Sequence, residues 1–207
     1  MLEKRTTDFL EELSSGAAVP GGGGASAAVG AFAAALGMMV TNLTIGKKKY
    51  ADVEGEIKKI RDKLASLRDE LVILTDRDAA AFEPLSKAYG LPKETEEQKE
   101  AKERIMEQAL YTAGKVPMQI METVLKVMDQ LRTLGEKGSR LAVSDVGVGL
   151  LFAQAALEGA SLNVFINTKM MKNRERADEM NARTEEMIAQ GHRLKEEIYA
   201  GVLEKIK

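Results

Sequence analysis

Residues 25–46 read ASAAVGAFAAALGMMVTNLTIG, and none of them is charged. A helix that is small and apolar on nearly every face has no solvated side, which is typical of a helix buried in a core. The length also suits a membrane span, but Ser26, Thr41 and Asn42 make the stretch only weakly hydrophobic. We therefore expect a central buried helix and no membrane association.

The segments on either side complete a helical plan. Residues 144–168 form a second weakly charged stretch, and strongly charged segments surround both stretches. Those segments carry apolar residues at steps of three and four, the spacing of one helix face. The clearest stripe consists of Ile57, Ile60, Leu64, Leu67, Leu71 and Leu74. We predict an all-α, single-domain helical bundle over residues 1–207, in which amphipathic helices wrap two buried ones.

Glycine and proline predict where the helices approach each other and where they end. Gly30 and Gly37, among many alanines, let neighbouring helix backbones come close, which suits a bundle centre or a subunit interface. This pattern is compatible with oligomerisation. Loops are predicted at residues 21–24 and 135–139, and a bend is predicted at Pro117.

The overall composition excludes several kinds of chemistry. The 30 basic residues nearly balance the 32 acidic ones, so no global positive charge favours nucleic acid. The chain has no cysteine, and His192 is its one histidine, which argues against thiol, Ser-His-Asp and histidine-zinc sites. The first residues lack the basic and apolar regions of a signal peptide, which predicts a cytoplasmic protein.

A glycine-rich segment after Pro20 enters the first buried helix. Free N–H groups at a helix N-terminus attract an anionic or carbonyl oxygen, so this segment is a candidate binding site. Its candidate substrate-binding residues are Gly21, Gly22, Gly23 and Ser26. The alternative is a turn that only allows close helix packing. Neither a dinucleotide-binding motif nor a P-loop has its required context here.

Asp78 occupies a position where a core residue is expected. The steps of four and three that connect Leu67, Leu71 and Leu74 continue to Asp78. Burial of a carboxylate without a partner raises its pKa toward neutrality, as a general acid or base requires. The alternative is a buried salt bridge. Asp76 lies about 200° around the same helix, at roughly 100° per residue, so the two acids should not form a dyad.

Two further groups of polar residues are candidates for ligand binding. Asp145, Asn163 and Asn167 share one face of the second weakly charged helix, where small residues leave room for a flat heterocycle. Helix capping and core hydrogen bonding are the alternatives. Lys47 and Lys48 follow the first buried helix and suit a carboxylate tail, unless they only form a solvated surface.

Several short motifs resemble a known family in both content and order. They are AVPGGG at residues 18–23, NLTIGKKKY at 42–50, TDRDAAAF at 75–82, LPK at 91–93, VP at 116–117, SDV at 144–146 and NVFIN at 163–167. Together they extend over almost the whole chain. They resemble the formimidoyltetrahydrofolate cyclodeaminase and methenyltetrahydrofolate cyclohydrolase family.

The resemblance implies an all-helical homodimer that binds a reduced folate, with Asp78 in the position of the family's proton donor. We expect a protein without the formimidoyltransferase domain of the bifunctional relatives, similar to the stand-alone cyclohydrolase branch of the family. One departure is that the family's glycine loop commonly continues directly into serine, whereas Gly24 and Ala25 precede Ser26 here.

The function expected from this resemblance is hydrolysis of 5,10-methenyltetrahydrofolate to 10-formyltetrahydrofolate. The alternatives are a formimidoyltetrahydrofolate cyclodeaminase that releases ammonia and a non-enzymatic folate-binding or helical assembly protein. We expect no metal and no cofactor beyond the tetrahydrofolate substrate. The predicted catalytic residues are Asp78 and Asp145. The predicted substrate-binding residues are Gly21, Gly22, Gly23, Ser26, Asn42, Lys47, Lys48, Asn163 and Asn167.

Overall fold

The structure is a computed structural model that describes residues 1–2 and 5–207. All regular structure in these ranges is helical, which confirms the predicted all-α class. The α-helices are α1 (Thr6–Leu13), α2 (Gly22–Thr44), α3 (Glu54–Tyr89), α4 (Glu96–Lys137), α5 (Val143–Met170) and α6 (Arg174–Ile206). Short 3-10 helices at Lys48–Val53 and Arg140–Ala142 precede α3 and α5.

The two weakly charged helices, α2 and α5, pack against each other in opposite directions. A Cβ at Gly149 would lie 3.3 Å from the Ala33 carbonyl oxygen, and one at Gly159 would lie 2.6 Å from Ser26 Oγ. Residues near the end of α5 therefore contact residues near the start of α2, as expected for two antiparallel helices. The glycines allow this approach because any larger residue would separate the two backbones.

The helices α3 and α4 enclose this pair on one side, and α6 packs against α4 and α5. The predicted stripe on α3 is confirmed, since Leu64, Leu67 and Leu71 are buried. Each such side chain contributes about 1.5–3 kcal/mol relative to full exposure. The turn before α4 ends in a capping box, in which Thr95 and Gln98 satisfy each other's backbone N–H groups.

Two local predictions were wrong in part. Residues 22–24 form the first turn of α2 rather than a loop, and Gly21 is the residue that caps it. Gly135 lies inside α4, which ends at Lys137, so the predicted loop begins only after that residue. In both cases the helix gains tertiary contacts that outweigh the low helix propensity of glycine. The helix α4 includes Pro117, and the bend predicted there stays a prediction.

Both α2 and the segment 140–170 are long and apolar enough to cross a membrane. Their most apolar windows are 61% and 56% buried inside the bundle, respectively. The prediction that these helices are core elements is therefore confirmed for more than half of each window. The remaining faces of both helices lie at the surface of the chain and are largely apolar.

Candidate functional site

A cleft opens where the first turn of α2 meets α3, α4 and the last turns of α5. Six of the predicted site residues line it, namely Gly21, Gly22, Gly23, Asp78, Asn163 and Asn167. Its volume is about 200 Å³, which is less than the roughly 300–1,000 Å³ of a typical ligand pocket. The cleft alone therefore accommodates only part of a ligand the size of a folate.

Asp78 projects from α3 to the N-terminus of α2. It is half-buried, and its carboxylate accepts a hydrogen bond from the backbone N–H of Gly24. Burial raises the pKa of Asp78 from 3.8 to about 6, while the Gly24 hydrogen bond opposes that change. The carboxyl group can thus both accept and donate a proton near neutral pH.

The glycines of the first turn of α2 explain how Asp78 reaches this position. Gly21 caps the helix in an extended conformation and supplies no side-chain hydrogen bond, so the first N–H groups of α2 need another partner. A Cβ at Gly23 would overlap the Asp78 carboxylate. Glycine at position 23 is therefore what lets α3 bring Asp78 against the helix N-terminus.

Asp76, two residues earlier on α3, lies outside this site. Its carboxylate is exposed and accepts a hydrogen bond from the N-terminal ammonium of Met1. The prediction that Asp76 and Asp78 do not form a dyad agrees with this arrangement. In the part of the chain that the structure describes, no group of three or more acidic or histidine side chains is placed to hold a metal ion.

Asn163 and Asn167 form the opposite wall of the cleft. Asn163 Nδ2 donates to the Gly159 carbonyl oxygen at 2.9 Å, and Asn167 Nδ2 donates to the Asn163 carbonyl oxygen at 2.7 Å. These bonds orient both amides on the surface of α5. Each amide also has an oxygen acceptor and a second N–H, and neither group has a protein partner among the described residues. These free groups can form hydrogen bonds with the donors and acceptors of a ring heterocycle.

Ser26 does not line the cleft. Its hydroxyl is buried and donates to the Gly22 carbonyl oxygen at 2.7 Å. The same oxygen packs against Gly159 of α5. The structure therefore places Ser26 in the contact between α2 and α5, and its predicted direct contact with substrate is not what this geometry favours.

Four other predicted site residues lie at the opposite end of the bundle. Asp145 precedes Asn163 by 18 positions on α5, which is about 27 Å at 1.5 Å per residue. Asn42 is about 30 Å from Gly22 by the same measure along α2, and Lys47 and Lys48 lie beyond it. Within one chain these four residues cannot contact a ligand held by Asp78. The prediction treated a shared helix face as a shared site, but the face extends over several turns.

The apolar part of the cleft is formed by residues that were not among the predicted site residues. Phe82 and Tyr89 come from α3, Pro117 comes from α4, and Ile166 and Met170 come from α5. The signal for the two aromatic residues was present, because continuing the α3 stripe from Asp78 by steps of four, three and four reaches Phe82 and then Tyr89. No periodicity within one helix indicates Pro117.

Comparison with known proteins gives matches that extend over most of the chain. The profile of the family described as Formiminotransferase-cyclodeaminase matches residues 5–186. A methenyltetrahydrofolate cyclohydrolase from Methylorubrum extorquens is 42% identical over 198 residues, which are 96% of this chain and 95% of that protein.

Two further matches carry the other name of the family. The formimidoyltransferase-cyclodeaminase of Gallus gallus is 34% identical over 161 residues, which cover 78% of this chain but 30% of that longer protein. The crystal structure of a formiminotetrahydrofolate cyclodeaminase from Thermotoga maritima matches with a TM-score of 0.89 and 28% identity over the full length of both chains. On its sequence and its fold, the chain belongs to the formiminotransferase-cyclodeaminase family.

Proposed function

We propose that this protein hydrolyses 5,10-methenyltetrahydrofolate to 10-formyltetrahydrofolate. The observation that carries the proposal is Asp78, a carboxyl with a pKa of about 6 in a cleft lined by amides and apolar side chains. The 42% identity to a methenyltetrahydrofolate cyclohydrolase over nearly the whole length of both proteins supports the same reaction.

The reaction needs one group that takes a proton and later returns it. In the first step, ionised Asp78 accepts a proton from water while the water oxygen bonds to the amidinium carbon, which gives a neutral carbinolamine. In the second step, protonated Asp78 donates that proton to N5 as the bond between carbon and N5 breaks, while the carbinolamine hydroxyl forms the C=O bond and releases its own proton to solvent. The formyl group remains on N10, and Asp78 is again ionised. A carboxyl whose pKa lies close to the working pH suits both steps.

The rest of the cleft suits a flat, cationic ring. The Asp78 carboxylate favours the positive charge of the amidinium, and the amide groups of Asn163 and Asn167 match the donors and acceptors of a pterin. Phe82 and Met170 provide apolar contact area for the ring. The amidinium carbon is already electrophilic, so we propose that no metal or further cofactor takes part, and a chelator should leave the rate unchanged.

Cyclodeamination is the second candidate. The specific observation in its favour is the match to the Thermotoga maritima cyclodeaminase over the full length of both chains. In that reaction, the formimino group of 5-formimidoyltetrahydrofolate closes onto N10 and releases ammonia. The tetrahedral chemistry is similar, and Asp78 would donate a proton to the leaving amine.

A direct assay separates the two reactions. Purified protein is mixed with 5,10-methenyltetrahydrofolate, and the loss of its near-ultraviolet absorbance is followed with wild type and with Asp78→Asn. The cyclohydrolase proposal requires protein-dependent decay that the variant lacks. Absence of decay, together with ammonia release from the formimino substrate, would assign cyclodeamination instead. A protein that binds no reduced folate would be a helical assembly protein.

We further propose that the protein is a homodimer that buries the exposed faces of α2 and α5. Phe32 is 48% exposed, Phe152 is 40% exposed and Leu162 is 67% exposed, and α2 contains no charged residue. A face about 35 Å long and about 20 Å wide covers roughly 700 Å² per copy. Two copies then bury about 1,400 Å², which is sufficient for a specific dimer.

The proposed dimer would also bring predicted site residues from the opposite end of the bundle close to the cleft of the partner. A two-fold axis that lies in the plane of this face and crosses both helices near their middle places one end of the face against the other end of its partner. The end that carries Asn42 and Asp145 would then approach the partner's cleft beside Ile166. We propose that these two residues orient the cationic ring of the substrate across the interface. We also propose that the protein acts in the cytoplasm.

A further inference from the structure

A second groove adjoins the cleft at the side where α3 ends. Met170 borders both spaces, and the Tyr89 hydroxyl donates to Met170 Sδ at 3.6 Å between them. The groove has a volume of about 260 Å³ and lies beside the N-terminal half of α4. A ligand that fills the cleft can therefore extend past Tyr89 without leaving the protein surface.

Lys102 is one of the cations that line this groove. It is half-buried, and its ammonium group donates to the carbonyl oxygens of Tyr89 and Leu91, both at 2.8 Å. These bonds fix the position of the charge but do not neutralise it. The structure records no carboxylate within ion-pair distance of Lys102 among the described residues. An ammonium has three donors, so one N–H remains for a ligand.

The other charges of the groove leave it positive. Four lysines and two glutamates line it, and one of the lysines, Lys99, is paired with Glu96 at 2.6 Å, so the four lysines and three carboxylates together carry a net charge of +1. Glu103 forms an ion pair with Lys172 at 2.5 Å, and Glu107 accepts the backbone N–H groups of residues 172 and 173. Both carboxylates are thus engaged in holding the turn between α5 and α6. Lys93, by contrast, has no recorded ion pair in the part of the chain that the structure describes.

We propose that this groove binds the aryl-glutamate tail of the folate, with Lys93 and Lys102 as the carboxylate-binding residues. The inference rests on the proposed function, since it assumes that a reduced folate occupies the cleft. Met106 and Leu110 form an apolar floor for the aryl ring. Tyr89 lies 11 positions after Asp78 on α3, about 16 Å at 1.5 Å per residue, so the carboxylates are held away from the reacting carbon.

This assignment differs from the one that the sequence predicted. Lys47 and Lys48 were expected to bind the tail, but they lie at the far end of α2 and can reach the cleft only from a second copy. Lys93 and Lys102 are in the same chain as Asp78 and border a groove that shares Met170 with the cleft. A chain of γ-linked glutamates, which carries several carboxylates, should benefit most from this positive groove.

The experiment measures binding rather than turnover. Calorimetry compares the monoglutamate and pentaglutamate forms of 5-formyltetrahydrofolate, at low salt, with wild type and the Lys93→Ala/Lys102→Met variant. The matched control is Lys59→Ala/Lys126→Ala, which removes the same charge at two exposed positions of α3 and α4 outside the cleft and the groove. Because Lys102 also holds two carbonyl groups, Lys93→Ala alone is measured as a variant that removes no hydrogen bond of the fold.

Wild type should bind the pentaglutamate at least roughly tenfold more tightly than the monoglutamate, as expected for one charge-assisted hydrogen bond. The groove variant should lose this preference, Lys93→Ala should reduce it, and the control should keep it. Equal affinity of wild type for both forms, or loss of the preference only in the control, would overturn the assignment while leaving the function intact. Failure of wild type to bind either folate would refute the function as well.

Discussion

The substitution Asp78→Asn should make the protein more stable at neutral pH and inactive. In the wild type, the pKa of Asp78 is about 6 in the folded state, compared with an ordinary value of 3.8. At about 1.36 kcal/mol per pKa unit, ionisation of this group destabilises the folded state by at most about 3 kcal/mol. Asparagine is nearly isosteric, carries no charge, and its oxygen can still accept the Gly24 N–H.

The pH dependence follows from the direction of this difference. Between pH 3.8 and about 6 the folded state binds the proton more tightly than the unfolded state, so the wild-type free energy of unfolding falls as pH rises through this range. It stays at the lower level above pH 6. The variant lacks this dependence, so its advantage should be near zero below pH 4 and complete at pH 7.

Thermal unfolding of both proteins from pH 4 to pH 8 measures this advantage. For a domain of about 200 residues, 1 kcal/mol corresponds to roughly 2–4 °C, so the melting temperature of the variant should exceed that of wild type by up to about 6–12 °C at pH 7. The control is Asp76→Asn, which removes an exposed carboxylate from the same helix and should change stability by less than about 1 kcal/mol. A pH-independent difference between wild type and Asp78→Asn would refute the desolvation argument.

Three further results are expected. Gly23→Ala should lower stability by about 1–3 kcal/mol and abolish activity, because the new methyl group displaces the Asp78 carboxylate; Gly16→Ala, which meets no atom within 4 Å, should behave as wild type in the same melts and assays. Asn167→Ala should raise KM roughly tenfold with little change in kcat, as expected if its amide binds the ring; a lower kcat at unchanged KM would contradict this role. Phe152→Glu should give a monomer by analytical ultracentrifugation, whereas Ile73→Glu, at a site on α3 that is 50% exposed compared with 40% for Phe152, should not; a Phe152→Glu dimer would place the interface elsewhere.

The fold was largely predictable because its signals are periodic. The apolar stripe on α3, the uncharged stretch at residues 25–46 and the weakly charged stretch at residues 144–168 predicted three of the five long helices and their burial. The glycines of α2 were misassigned for a physical reason. Glycine has low helix propensity, and only the contact between α2 and α3, which the sequence does not show, compensates for it at residues 22–24.

The site was only partly predictable because helix periodicity identifies a face but not a position along the axis. Asp145 and Asn163 do share a face of α5, yet about 27 Å separates them. Asp78 was identified correctly as a semi-buried acid because it interrupts an apolar stripe. The lysines of the second groove gave no sequence signal, since Lys93 and Lys102 belong to different segments and meet only when the turn before α4 forms.

The near-neutral pKa of Asp78 depends on the segment that looked least structured. An ordinary serine or aspartate cap at position 21 would satisfy the first N–H groups of α2 locally. The helix would then no longer need Asp78, and a Cβ at position 23 would push that carboxylate away. With glycine at positions 21 and 23, Asp78 of α3 accepts the hydrogen bond from the N-terminus of α2. This arrangement also buries the Asp78 carboxyl group. The hydrogen bond from the Gly24 N–H lowers the pKa of Asp78, but burial raises that pKa by a larger amount. The result is a carboxyl group that exchanges protons at the pH where the proposed hydrolysis needs it.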